Sequence, residues 1–281
     1  MSTSRFLPAF PGRSAASPAT AADNSILVGR DTVVARLRAA GCVFAEDEAR
    51  ILIESAPDPA TLRAMVERRV AGLPLEHVVG WVDFCGLRID VDPGVFVPRR
   101  RTELLARRAA ALTAPGATVL DLGCGSGAIG VVVATLVAGV ELYAVDVEPA
   151  AVECARRNLR PFGGRVYAGD LYEPLPARLR GRVDVLVANI PYVPTGEVGL
   201  LPPEARLHEP LVALDGGPDG LDVLRRVFAG APDWLAPGGH LLVETGQAQA
   251  PVAWAVLADA GLDAVVVTDD ELAATVVIGR R

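Results

Sequence analysis

The rhythm of apolar and polar positions changes along this chain. From about residue 26 to residue 80 the spacing is helical. Val33, Val34 and Leu37 fall on one face ahead of Gly41, and Ala49, Ile51, Leu52 and Ile53 turn inward between Glu46 and Ser55. A third helix is predicted over 59–71, closed by Gly72 and Pro74. Residues 81–97 alternate apolar and polar around Asp92-Pro93-Gly94, which predicts a β-hairpin. Beyond residue 110, short apolar runs alternate with helical stretches. Strands are expected at 119–122, 140–145, 165–168, 183–188, 240–244, 262–268 and 274–279, with helices at 128–137, 149–159, 221–231 and 251–260. The last two strands are joined by Asp269-Asp270-Glu271 alone, so they pair antiparallel without a crossover helix.

Composition narrows the class. The chain has 281 residues and is 51% hydrophobic, enough for one large unit and a small one, with no uncharged apolar run of transmembrane length. Its formal charge is −7, so it is a poor non-specific binder of nucleic acid, and neither nucleic acid nor membrane is expected as a partner. Every basic residue is an arginine, and five of them lie between Arg99 and Arg108. That cluster reads equally as a solvated helix face or as a surface for an acidic region of a partner. Cys42, Cys85, Cys124 and Cys154 have neither metal-ligand nor disulfide spacing, which fits reduced thiols in the cytoplasm, and no metal is expected. Residues 1–25, rich in Ala, Ser and Pro, read as a disordered tail.

The chemistry centres on Val119-Leu120-Asp121-Leu122-Gly123-Cys124-Gly125-Ser126-Gly127, a buried strand running into a glycine turn and then a helix. Glycines at alternate positions let the backbone approach a ligand closely, and the helix start presents free N–H groups. Two cofactors use such a turn. A dinucleotide is read by a loose G-x-G-x-x-G/A match; S-adenosylmethionine prefers an acid just before the glycines, where Asp121 stands. Both readings expect an acid about 20 residues on for the ribose, and Asp146 supplies it. The strand beginning at Val183 separates the two readings, because it ends in Asn189-Ile190-Pro191-Tyr192. The ending resembles that of the amino-methyltransferases, which methylate planar nitrogens.

A closer resemblance covers about residues 30–281. Gly72-Leu73-Pro74-Leu75-Glu76, Val95-Phe96-Val97-Pro98-Arg99, Thr102-Glu103, the glycine turn, Glu209-Pro210 and Leu214-Asp215-Gly216-Gly217 together resemble the HemK/PrmC-type protein-(glutamine-N5) methyltransferases. The resemblance implies an α/β fold: a Rossmann-like, seven-stranded class I methyltransferase at 98–281, a small helical substrate-docking domain at 26–80, and a linking hairpin at 81–97. It implies S-adenosylmethionine as cofactor. Asp121 would count among the cofactor-binding residues, Gly123, Cys124, Gly125, Ser126 and Gly127 would hold the methionine moiety, Asp146 would take the ribose, and Asp170 and Leu171 would lie at the adenine. Asn189, Ile190, Pro191 and Tyr192 would hold the acceptor glutamine, with Asn189 also counted toward the cofactor. The partner would be a protein with an exposed glutamine loop, a release factor or a ribosomal protein.

The residues rationalise that assignment. An amide nitrogen is a poor nucleophile because its lone pair is delocalised. Asn189 Oδ1 and the Ile190 carbonyl are natural acceptors for its two hydrogens, and Tyr192 would pack on its plane. Two other functions share these motifs, an adenine-N6 methyltransferase on RNA or DNA and a non-catalytic cofactor-binding scaffold. The chain departs from the family at Arg100 and Arg101, where a proline and an acid are usual, and at Ile190, where proline is usual.

Overall fold

The computed structural model describes residues 23–281. The tail expected over 1–25 lies mostly outside them, and its last three residues open the first helix. Four helices come first: α1 (Asp23–Ala39), α2 (Ala45–Ser55), α3 (Pro59–Val70) and the short α4 (Leu75–Val79). Asp58 caps α3 by accepting from the Ala60 and Thr61 N–H groups, and Pro59 starts the helix where no N–H is needed. Leu37, Ala45, Ala49, Leu52 and Val66 form a core of their own among these helices.

A tight hairpin follows, β1 (Trp81–Phe84) and β2 (Leu87–Asp90). It reverses at Cys85-Gly86 rather than at Asp92-Pro93-Gly94. Both Cys85 (φ 55°) and Gly86 (φ 75°) are left-handed, the geometry of a two-residue turn that matches strand twist. The expected proline turn is present as a separate bend, where Val95 N–H donates to the Asp92 carbonyl.

The remaining elements alternate: α5 (Glu103–Leu112), β3 (Thr118–Leu122), α6 (Ala128–Leu136), β4 (Glu141–Asp146), α7 (Pro149–Leu159), β5 (Arg165–Ala168), β6 (Val183–Ala188), α8 (Pro203–His208), α9 (Asp222–Trp234), β7 (Leu235–Glu244), α10 (Ala250–Asp259), β8 (Asp263–Asp269) and β9 (Ala274–Arg280). Strands β3 to β9 form the expected seven-stranded sheet, in the order β5-β4-β3-β6-β7-β9-β8. The first five are parallel, and β9 pairs antiparallel with both β7 and β8. Strand alternation divides the core in two. Val119, Val185, Val187 and Leu242 pack under α5, α6 and α7, whereas Leu120, Leu186, Leu241 and Val243 pack under α9 and α10. The direction of strand order reverses between β3 and β6, so their carboxyl ends open the crevice where ligands of such sheets bind.

The helical layer is tied to the rest by a buried arginine. Arg69 of α3, 6% exposed, donates to Glu48 of α2 at 2.6 and 3.1 Å and pairs with Glu204 of α8 at 2.7 Å. A second clasp holds the linker: Glu209, its side chain fully buried, accepts from Val97 N–H and from Arg99 at 2.5 Å. His77 Nε2 lies 2.8 Å from the Val95 carbonyl and completes the junction. Replacing Arg69 by alanine strands the Glu48 carboxylate in a dry site. Arg69→Ala is therefore expected to cost about 3 kcal/mol in urea unfolding; a loss below about 0.5 kcal/mol would show the pair to be solvated.

Candidate active site

Pairing between β3 and β6 sets the site. Their last partners are Leu122 and Ala188, so the glycine turn and Asn189 leave the ladder side by side. They touch: a Cβ on Gly123 (φ +65°) would stand 3.2 Å from Ile190 Cγ2 and 3.3 Å from the Asn189 carbonyl oxygen. The N–H groups of Gly123 and Cys124 both donate to the Val145 carbonyl, fastening the turn to β4. Gly125 (φ +55°) has open space where a Cβ would be. These residues border a cavity of about 470 Å³, lined also by Phe84 and Phe96 from the hairpin region and by Thr102, Asp146, Asp170, Leu171 and Asn189 to Tyr192.

Asp146 lies on that wall at the end of β4, 9% exposed. Its Oδ2 accepts from Gly125 N–H at 2.8 Å and its Oδ1 from Glu148 N–H at 2.9 Å, so the carboxylate shapes the turn with lone pairs to spare. Burial pushes its pKa above the ordinary aspartate value, against these backbone bonds. Asp170 is held by Arg226 of α9 at 2.6 Å, and Leu171 adopts a left-handed φ of 47°. The hydroxyls of Ser126 and Thr102, both on the wall, are buried with no hydrogen-bond partner among the described residues. Unsatisfied polar atoms beside a glycine turn are what a polar ligand would complete.

Asp121 is placed differently from the other expected residues. It does not line the cavity. Strand alternation puts it on the Val119 face, beneath α6, where it is 1% exposed and neither carboxylate oxygen makes a well-formed hydrogen bond among the described residues, the Gly130 backbone N–H giving it only weak support. Burial raises its pKa to about 7. Cys124 is on the wall, but burial drives its thiol well above the ordinary value, so it is no ready nucleophile. Among the described residues no group of three or more His, Cys, Asp or Glu could hold a metal, and no helix is long and apolar enough to cross a membrane.

The tetrapeptide rests on a glycine scaffold. Val193 and Asp215 form a parallel bridge, and Gly216 N–H donates to the Val193 carbonyl. A Cβ on Gly216 would stand 2.7 Å from the Pro191 carbonyl oxygen, and one on Gly220 (φ +76°) 2.2 Å from that of Tyr192. Gln249 of α10 donates to the Tyr192 and Asp219 carbonyls at 2.9 and 3.0 Å. Thus the Leu214–Leu221 motif exists to hold residues 191–193. The Asn189 side chain, by contrast, makes no hydrogen bond among the described residues, and Asn189 borders the cavity.

Several site residues were not foreseen. Asn158 of α7 donates to the Ser126 and Asp90 carbonyls at 2.8 Å, clamping the turn against β2. Glu244 ends β7 with its side chain 2% exposed and meets Tyr192 and Arg101. Its position at a strand's carboxyl end was a usable signal. Three of the clustered arginines are paired within the protein, Arg99 with Glu209, Arg101 with Glu244 and Arg107 with Glu103, while Arg100, Arg101, Arg107 and Arg108 are all exposed.

The description "Methyltransferase small domain" matches residues 86–200. A release factor glutamine methyltransferase of Geobacter sulfurreducens is 42% identical over 193 residues, 68% of this chain and 67% of that protein. A 4-amino-L-phenylalanine/4-methylamino-L-phenylalanine methyltransferase of Streptomyces pristinaespiralis is 39% identical over 200 residues, 69% and 68% of the two chains. The crystal structure of a methyltransferase from Pyrococcus furiosus shares the fold with a TM-score of 0.52 at 17% identity, covering 78% of this chain and 96% of that one.

Two predictions follow from the site's construction. Asp121 keeps its proton in the folded state to about pH 7, whereas the unfolded chain releases it near the ordinary aspartate value of 3.8. The native state binds more protons in that window, so this group's contribution to stability falls as pH rises from about 4 to 7. Asp121→Asn should remove that slope in urea unfolding between about pH 5 and about pH 7; an unchanged slope would show the carboxylate to be paired. Gly220→Ala should cost roughly 2 kcal/mol more than Gly125→Ala, because both pay the left-handed backbone penalty but only the former drives a methyl into a carbonyl. Equal losses would show that the Tyr192 segment yields freely.

Proposed function

The chain belongs to the release factor glutamine methyltransferase family, and we propose that it transfers a methyl group from S-adenosylmethionine to the side-chain amide nitrogen of a protein glutamine. The acceptor we favour is the Gly-Gly-Gln loop of a release factor, with a ribosomal protein next. The observation that carries the reading is the unengaged Asn189 side chain at the end of β6, in contact through its backbone with the glycine turn.

The cavity fits the cofactor by its own chemistry. Gly125 leaves room for a ligand against the backbone, the Ser126 and Thr102 hydroxyls want partners, and Asp146 has unused lone pairs at the end of β4. Asp146 would take the ribose hydroxyls, with the wall at Asp170 and Leu171 beside the adenine. When bound, S-adenosylmethionine supplies an electrophilic methyl group on a sulfonium. Asn189 Oδ1 and the Ile190 carbonyl would each accept one hydrogen of the acceptor amide. That orients its nitrogen and leaves the proton to depart after transfer. Tyr192 would lie on the amide plane, and the apolar wall at Phe84, Phe96 and Ile129 would exclude water.

We assign the helices over 26–80 to gripping the protein that carries the loop, since none of their described residues lines the cavity and Arg69 ties them to Glu204 on its wall. Residues 98–281 would form the catalytic domain, in the cytoplasm. The relative named for an aromatic amine of a free amino acid shows that a different planar nitrogen is the reading to test against.

Incubation of the protein with methyl-labelled S-adenosylmethionine and an extract of its own cells should label protein, at glutamine, and the label should survive nuclease. Asn189→Ala should slow transfer by roughly 10²–10³-fold while leaving cofactor affinity nearly intact. Label in adenine of RNA or DNA, or in a free aromatic amine, would overturn the glutamine assignment. An equal fall in cofactor affinity would make Asn189 a cofactor residue instead.

A further inference from the structure

Tyr192 is fixed at both ends. Its carbonyl accepts from Gln249 at 2.9 Å. Its hydroxyl donates to Glu244 Oε1 at 2.7 Å and accepts from Arg101 Nε at 2.8 Å, and the same Nε lies 3.0 Å from Glu244 Oε1. The Arg101 guanidinium carbon is 5.8 Å from the ring centroid. These three side chains come from three parts of the chain: the segment entering α5, the end of β6 and the end of β7. Alternation along β7 explains the meeting, because Glu244 shares the face of Leu242, on which α5 packs.

The network is costly to leave incomplete. The Glu244 side chain is 2% exposed, and its Oε2 has no partner among the described residues. Arg101 is the cation that offsets this buried carboxylate. Arg101 and Tyr192 also line both the cavity and a neighbouring cleft of about 610 Å³, so they stand where the two meet. An acceptor entering from the cleft passes the ring that Arg101 and Glu244 hold.

We propose that Arg101 and Glu244 are positioning residues for methyl transfer: they set the plane of the Tyr192 ring against the acceptor nitrogen. This rests on Tyr192 facing the acceptor, as in the function proposed above. It gives the arginine at 101, where the family usually has an acid, a definite task. An acid there would repel Glu244, whereas the arginine bridges Glu244 and the phenol. A planar acceptor reacts only when held within a narrow range of angles, so loss of the bridge reduces turnover rather than cofactor binding.

The test is a double-mutant cycle on Arg101→Gln and Tyr192→Phe, using the purified release factor of the same cell as acceptor. Arg101→Gln should lower kcat by about 10-fold or more with cofactor Kd within about twofold. In the Tyr192→Phe background the same change should lower kcat less than about threefold, because the hydroxyl it acts through is gone. Equal losses in both backgrounds would overturn the proposal, since Arg101 would then act on the acceptor directly. So would unchanged kcat, or a matching loss of cofactor affinity.

A second measurement needs no acceptor. Burial and Glu244 hold the Tyr192 phenol above its ordinary pKa, with Arg101 opposing them. An ultraviolet pH titration, read as the difference from Tyr192→Phe, should show the ionisation moving to lower pH in Glu244→Gln. An unmoved ionisation would overturn the network itself. If the titration behaves as expected but the release factor takes no methyl, the acceptor assignment fails and the network stands on the titration.

Discussion

One contact makes the rest of the site possible: the backbone of Gly123 against Asn189 and Ile190. Strands β3 and β6 end together at Leu122 and Ala188, and the next residues of each must pass within van der Waals distance. A side chain at 123 would push the two strand ends apart and widen the gap between the turn and the tetrapeptide. Glycine at a left-handed φ satisfies both the turn and the approach. In the function proposed here, with the cofactor at one strand end and the acceptor at the other, group transfer would depend on that spacing.

Everything further out keeps the two strand ends from relaxing. Val145 and Asp146 of β4 hold the turn from one side, and Asn158 of α7 ties it to the hairpin. Gly216, Gly220 and Gln249 hold the Tyr192 segment from the other. The segment over 203–214 is then fastened twice, to Arg69 of the helical layer and to Arg99 of the linker. Motifs far apart in sequence, Val-Pro-Arg and Glu-Pro, are thus two halves of one ion pair. The helical layer is joined to the wall of the cavity through Glu204, which lines it.

The sheet was readable because its strands are short apolar runs separated by helices, and four of its five parallel strands, β3, β4, β6 and β7, carry continuous buried runs. The glycine turn and the acid ending β4, which meet on the cavity wall, were readable because glycine and acid stand at fixed offsets from strand ends. Short elements were not: α4 has five residues and α8 six, too few for a period to register. The hairpin turn was misplaced because Cys85 adopts a left-handed φ that favours glycine, while Asp-Pro-Gly offers the stronger local signal. Asp121 was expected beside the cofactor from its place before the glycines, but the two-residue period of the strand sends it beneath α6. The Arg101–Tyr192–Glu244 network joins residues 91 and 52 positions apart, and nothing local in the chain announces such a meeting.

The account stands or falls on what lies between the two strand ends. A crystal structure with S-adenosylhomocysteine and a Gly-Gly-Gln peptide would decide it. The account predicts the ribose on Asp146, the homocysteine along Gly123 to Gly127, and the glutamine amide between Asn189 Oδ1 and the Ile190 carbonyl. A nucleoside bound away from Asp146, or a glutamine side chain outside the cavity with Asn189 still unengaged, would contradict it.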